Sequence, residues 1–116
     1  MEINVKRIKT EEENEKENEM LYSMFPDAKF VISIDIEKID DLLSEKKEII
    51  IQQSYKCYCH YFNITKKIFT IRGDKLTNKY VIDQLIKQGL ESDCNHMVLD
   101  SFHNIGGNLY EIFFGM

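Results

Sequence analysis

The sequence predicts an α+β fold: a two-layer sandwich with a mostly antiparallel sheet and helices on one face. Three observations predict it. Residues 49–62 and 68–72 are rich in β-branched and aromatic side chains and flank a polar turn from Asn63 to Lys67, the composition of a hairpin. From Phe30 to Ile36 the chain alternates, with Phe30, Ile32, Ile34 and Ile36 to one side and Val31, Ser33 and Asp35 to the other, as in a half-buried strand. Val81, Ile82, Leu85 and Ile86 recur at helical spacing after Thr77, and Gly89 offers a left-handed stop.

The remaining elements follow in order. Residues 1–19 hold seven acids and four bases, a net −3, and little to bury. They predict an acidic, partly disordered arm ahead of one domain over residues 20–116. The arm turns helical near Glu15, where Met20, Leu21, Met24 and Phe25 share a face and Pro26 ends the helix. Asp35 is placed to cap a short helix bearing Ile36, Ile39, Leu42 and Leu43, which ends at Lys46-Lys47. In the first arm of the hairpin the odd-numbered positions from Ile49 to Tyr61 share one face, read as core beyond Gln53. The even-numbered positions from Ile50 to Phe62 share the other, read as wet. A strand over 97–102, a turn over 103–108 and a strand over 109–114 close the chain.

Composition narrows the function. No stretch approaches the ~18 apolar residues of a membrane span, and the N-terminal residues carry no apolar signal region. Three cysteines, an odd number, argue against a disulfide framework and for a reducing, cytoplasmic setting. Asn63-Ile64-Thr65 matches a glycosylation site but reads as turn chemistry. The net charge of −5 disfavours polyanions at first sight. Its distribution reverses that inference locally. Over residues 55–80, Lys56, Lys66, Lys67, Arg72, Lys75 and Lys79 face Asp74 alone, a net +5, and a partner feels the local field.

Several residue groups bear on chemistry. Cys57, Cys59, His60, Cys94, His96 and His103 are all the cysteines and histidines of the chain, and zinc prefers such ligands. Cys57-x-Cys59 within a strand lacks the tight knuckle of structural zinc sites, so a metal requires Cys57, Cys59, Cys94 and His96 to converge from elsewhere. Otherwise these thiols behave as small buried hydrophobes. A thiol–imidazole pair using Cys94 or Cys59 has no evident orienting group. With no phosphate loop, nucleophile elbow or paired-carboxylate motif, the expectation is no enzyme, no cofactor and no small-molecule substrate. Arg72-Gly73-Asp74 spells an adhesion tripeptide but reads as a strand end and turn. The strongest signal is the basic and aromatic interleaving of the hairpin. Lysine and arginine hold an RNA backbone, and aromatic or histidine faces stack under its bases. Lys56, Tyr58, His60, Lys66, Lys67 and Arg72 are the residues of that type, although lysines also protect ordinary sheets from edge pairing.

At these residues the chain resembles the eukaryotic translation initiation factor one family. The parallel begins at Ile49-Ile50-Ile51-Gln52-Gln53, runs through Thr70-Ile71-Arg72-Gly73 and the Val81–Ile86 helix, and reaches Cys94-Asn95-His96-Met97-Val98 and Gly115. It covers about residues 49–116. The resemblance implies that family's fold and contact with the small ribosomal subunit. The family's basic tip, Arg-Asn-Gly-Arg-Lys, is replaced by Ser54 to Thr65, which leaves Lys66 and Lys67; His96 stands where the family has glycine, and the family's C-terminal helix has no counterpart before Met116. The phrases around Ile71-Arg72-Gly73-Asp74 and Phe113-Phe114-Gly115 also resemble short proteins of mimivirus-like giant viruses, which implies a viral source and a host-cytoplasmic setting. The expected function is a non-enzymatic module that contacts RNA or a ribonucleoprotein. The competing expectation is a protein–protein interaction or self-assembly domain.

Overall fold

The computed structural model describes residues 10–53, 67–90 and 98–115. Its elements are α1 (Glu11–Met24), β1 (Val31–Ile32), a 3-10 turn (Ile36–Lys38), β2 (Leu42–Ser44), β3 (Glu48–Gln53), β4 (Lys67–Arg72), β5 (Leu76–Thr77), α2 (Asn78–Lys87), β6 (Val98–Gly106) and β7 (Leu109–Gly115). The fold class is α+β. The main sheet has the order β1-β6-β7-β3-β4, and β2 and β5 form a separate two-stranded sheet. The main sheet is mixed rather than mostly antiparallel. The β3–β4 and β6–β7 pairs are antiparallel, whereas β1 runs parallel to β6 and β3 parallel to β7. The long connection through α2 returns the last hairpin to the open side of β3, and a crossover of that kind makes parallel neighbours.

Alternation decides which face of the sheet is buried. Ile49, Ile51 and Gln53 of β3, Phe69 and Ile71 of β4, and Tyr110 and Ile112 of β7 are buried. Their register partners place them on one face: Ile49 lies opposite Ile71, and Ile51 opposite both Phe69 and Tyr110. Val81, Ile82 and Leu85 of α2, with Leu21 and Phe25 at the end of α1, join them in a single core. The helices therefore cover this face.

Helix α2 is fixed at both ends. Thr77 caps it by accepting from the Tyr80 N–H at 3.1 Å. The first N–H groups of a helix lack partners within it, and here Asn78 N–H donates to Asp41 O and Lys79 N–H to Ile39 O. At the other end Leu90 N–H donates to Leu85 O and Gly89 N–H to Ile86 O, with Gly89 at φ 88°. This is a Schellman cap whose two anchoring leucines are buried.

The contacts at the start of α2 explain the main departure from the sequence reading. In place of the short helix expected from Ile36 to Lys46-Lys47, the chain forms a 3-10 turn capped by Asp35, followed by strand β2. Leu42 and Ser44 pair with Thr77 and Leu76, and the carbonyls of Lys38, Ile39 and Asp41 are turned toward α2, where Asn78 Nδ2 donates to Lys38 O at 2.8 Å. Two other elements are longer than expected. Helix α1 begins at Glu11 because Thr10 accepts from Glu13 N–H, with Glu11, Glu12 and Glu13 in the first turn, where the helix dipole favours acids. Strand β6 runs on through His103 to Gly106, with register shifts after Leu99 and Asn104. Asn104 supports the turn: its Oδ1 accepts from Gly106 N–H and its Nδ2 donates to Gly107 O.

Gly73 is required by packing rather than by its backbone angle. A Cβ there would lie 2.7 Å from the Tyr80 ring, whose hydroxyl donates to Arg72 O. Gly73→Ala must push the ring off that carbonyl, at a cost of about 1–2 kcal/mol. In a Tyr80→Ala background the same substitution should cost far less. Urea denaturation of the two single variants and the double variant measures the difference.

Candidate functional site

The second face of the main sheet carries neither helix. By register it displays Glu48, Ile50 and Gln52 of β3, Ile68, Thr70 and Arg72 of β4, Leu109 and Glu111 of β7, and Ser101 and His103 of β6. Ile68, at 62% exposure, is the most exposed large hydrophobic residue among those described. By register Ile68 lies opposite Gln52, and Ile50 lies between Thr70 and Leu109. Ile50 and Leu109 are half-buried, and Thr70, Arg72, Glu48 and His103 are exposed, so aliphatic side chains are interspersed with polar and charged ones on this surface.

Of the six residues expected to bind RNA or a partner, the structure describes two. Arg72 stands on the uncovered face, its Nε 2.7 Å from Glu48 Oε2 directly across the hairpin. Lys67 begins β4 at the other end, half-buried and opposite the buried Gln53, so it projects on the covered side. Five residues of strand, roughly 17 Å, separate the two. The described strand does not gather these two cations. Gln53 Oε1 has no hydrogen-bond partner among the described residues. Lys56, Tyr58, His60 and Lys66 lie outside the described residues, as do Cys57, Cys59, Cys94 and His96, the set on which a metal would depend. No cluster of three metal-ligating side chains occurs among the described residues.

One grouping on this face escaped the sequence. Ser101 Oγ and His103 Nε2 are 3.0 Å apart, and His103 lies opposite Glu111 across β6 and β7. The string His103-Asn104-Ile105-Gly106-Gly107-Asn108 is dense in turn formers, which hides a strand position at His103. Only the register with Glu111 reveals it. The three side chains form a polar corner on an open sheet, where a serine–histidine hydrogen bond is solvated.

Two basic side chains at the Lys47–Arg72 end of the hairpin have acidic partners. Lys47 Nζ approaches Asp74 Oδ1 at 3.8 Å and donates to Asp74 O, and Arg72 is held by Glu48.

Comparison with protein-family models, curated proteins and solved structures finds no match to this chain.

The Glu48–Arg72 pair tests how firmly the face is ordered. Its side chains are 46% and 74% exposed, and exposed pairs contribute about 0.2–1 kcal/mol. A double-mutant cycle with Glu48→Gln and Arg72→Gln, read by urea denaturation, should return a coupling in that range that shrinks in concentrated salt.

Proposed function

We propose that this protein is a non-catalytic binding module that contacts RNA or a ribonucleoprotein through the β3–β4 hairpin and the uncovered sheet face beside it. The observation that carries this reading is a sheet face that no described helix covers. With α1 and α2 packed on the other side, Ile68, Thr70 and Arg72 of β4 are displayed on it, and the sequence around this strand, residues 55–80, carries a basic excess. The resemblance to initiation factor one over residues 49–116 supports the same choice of partner and an initiation-factor-like variant of the α+β fold. The resemblance to giant-virus proteins supports action in the cytoplasm of an infected cell. Lys56, Tyr58, His60, Lys66, Lys67 and Arg72 are the contact residues in this reading.

A protein partner or self-assembly is the second reading, favoured by one specific observation. The exposed large hydrophobic side chains among the described residues are Ile68, Leu42, Ile105, Met20 and Tyr22, of which Tyr22 alone is aromatic, and exposed non-aromatic side chains suit a protein surface better than a base stack.

Single-stranded RNA binding, followed by fluorescence anisotropy as salt is raised, separates the two. Each neutralised phosphate contributes about 0.7 to the log–log salt slope. The parent chain should bind more weakly as salt rises, and Lys66→Ala/Lys67→Ala/Arg72→Ala should bind more weakly with a shallower slope. No binding at low ionic strength, or a flat slope, rejects RNA. Partner recovery from cells that survives nuclease treatment then supports the second reading.

A further inference from the structure

We propose that α2 guards the free edge of β4 against pairing with β4 of a second copy of this chain, and that Tyr80 and Gln88 are the guards. This goes beyond the binding surface: it concerns the backbone edge of β4 rather than the side chains on its face.

Strand β4 ends the main sheet, with no strand on its far side among the described residues. The direction of its backbone groups follows from register. Glu48 lies opposite Arg72, so Lys47 lies opposite Gly73, and Gly73 N–H donates to Lys47 O at 3.0 Å. In an antiparallel pair the residues that exchange hydrogen bonds alternate along each strand. The odd-numbered positions of β4 therefore turn their N–H and C=O groups toward β3, and Ile68, Thr70 and Arg72 turn theirs outward. The far side of β3 agrees, since Ile50 N–H donates away from β4 to Asn108 O.

The outward groups form a template for an added strand. Antiparallel self-pairing centred on Thr70 would set Thr70 opposite Thr70 and Ile68 opposite Arg72 of the second copy. That arrangement uses the outward groups of all three residues and makes two-fold symmetric contacts. A threonine pair at the centre and no like-charge opposition within Ile68–Arg72 favour it. The sequence Lys67-Ile68-Phe69-Thr70-Ile71-Arg72 has no proline or glycine and carries charge only at its ends, the composition of an edge that pairs readily.

In this protein two of the three outward carbonyls are already occupied. Gln88 Nε2 donates to Thr70 O at 2.9 Å, and Tyr80 OH donates to Arg72 O. Both side chains come from α2 or the residue that ends it. The close approach of the Tyr80 ring to Gly73 holds its hydroxyl over the edge. An incoming strand would have to displace both donors to complete the symmetric ladder.

The test uses the full chain. Tyr80→Phe removes the hydroxyl and keeps the ring against Gly73, and Gln88→Ala changes an exposed residue, so the double variant should keep the circular dichroism of the parent. Its light-scattering mass should rise above that of the parent as concentration increases. Adding Thr70→Pro should reverse the rise, because proline removes an outward N–H without costing a bond to β3. A folded double variant with the mass of the parent overturns the proposal. So does association that Thr70→Pro leaves intact, or a parent whose own mass Thr70→Pro lowers. If the double variant is unfolded, Gln88→Ala alone decides by the same criteria.

Discussion

Strand β3 is the constraint on which the rest of the structure depends. It is paired along both edges, antiparallel to β4 and parallel to β7, and its Ile49 and Ile51 are fully buried in the core that α2 shares. Burying such a side chain contributes about 1.5–3 kcal/mol, whereas an exposed ion pair like Glu48–Arg72 contributes at most about 1 kcal/mol. The apolar seam of Ile49, Ile51 and Ile71 therefore sets the register, and the charges on the other face adapt to it. A slip of one residue would place these isoleucines in water and Ile50, Gln52 and Thr70 under the helix. The parallel partner β7 follows from the same strand. Once β4 has taken one edge of β3, the final hairpin must come back to the other.

The second consequence of this seam is the junction between the main sheet and the β2–β5 pair. Three carbonyls of residues 38–41 accept bonds from the first residues of α2, and Tyr110 OH donates to Leu43 O at 3.2 Å. The segment after the first strand is thus held by the helix start on one side and by β7 on the other. These bonds satisfy groups that a helix terminus would otherwise leave to solvent, so α2 and the small sheet order one another.

What was legible in the sequence depended on how local its cause was. The burial of Phe30, Ile32 and Ile34, that of Ile49 and Ile51, the stripe of α2 and its Gly89 stop all arise from spacing within a few residues, although of the strand expected over Phe30–Ile36 only Val31–Ile32 is one. The two hairpin arms do pair, but the register sets Ile68 opposite Gln52 and Lys67 opposite Gln53, and the expected arm to Phe62 and turn from Asn63 fall among residues 54–66, outside the described residues. The helix expected from Ile36 to Lys46-Lys47 failed because the spacing of Ile36, Ile39, Leu42 and Leu43 fits a helical face and also fits a 3-10 turn followed by a strand. The deciding partner, Leu76-Thr77, lies more than thirty residues away. The length of β6 was hidden by bulges that break its alternation, and with it the approach of Ser101 to His103. The parallel pairing of β3 with β7 has no local signal at all. Of the proposed contact residues, the sequence grouped Lys67 with Arg72 by charge. Strand parity places them on opposite faces.

The proposed contact face and the proposed edge guard act on the same strand through different atoms. The side chains of Ile68, Thr70 and Arg72 leave β4 through the uncovered face, while their backbone groups leave it through the edge. Tyr80 and Gln88 reach that edge from α2, which packs on the covered side. A partner on the open face therefore has no need to displace them, and closing the edge leaves the face free. The chemistry of the face also bears on how RNA would be held. Its described side chains are aliphatic, polar or charged, and Arg72 and His103 are the two whose planes suit stacking under a base. In the proposed reading these two would add base contacts to those with the phosphate backbone.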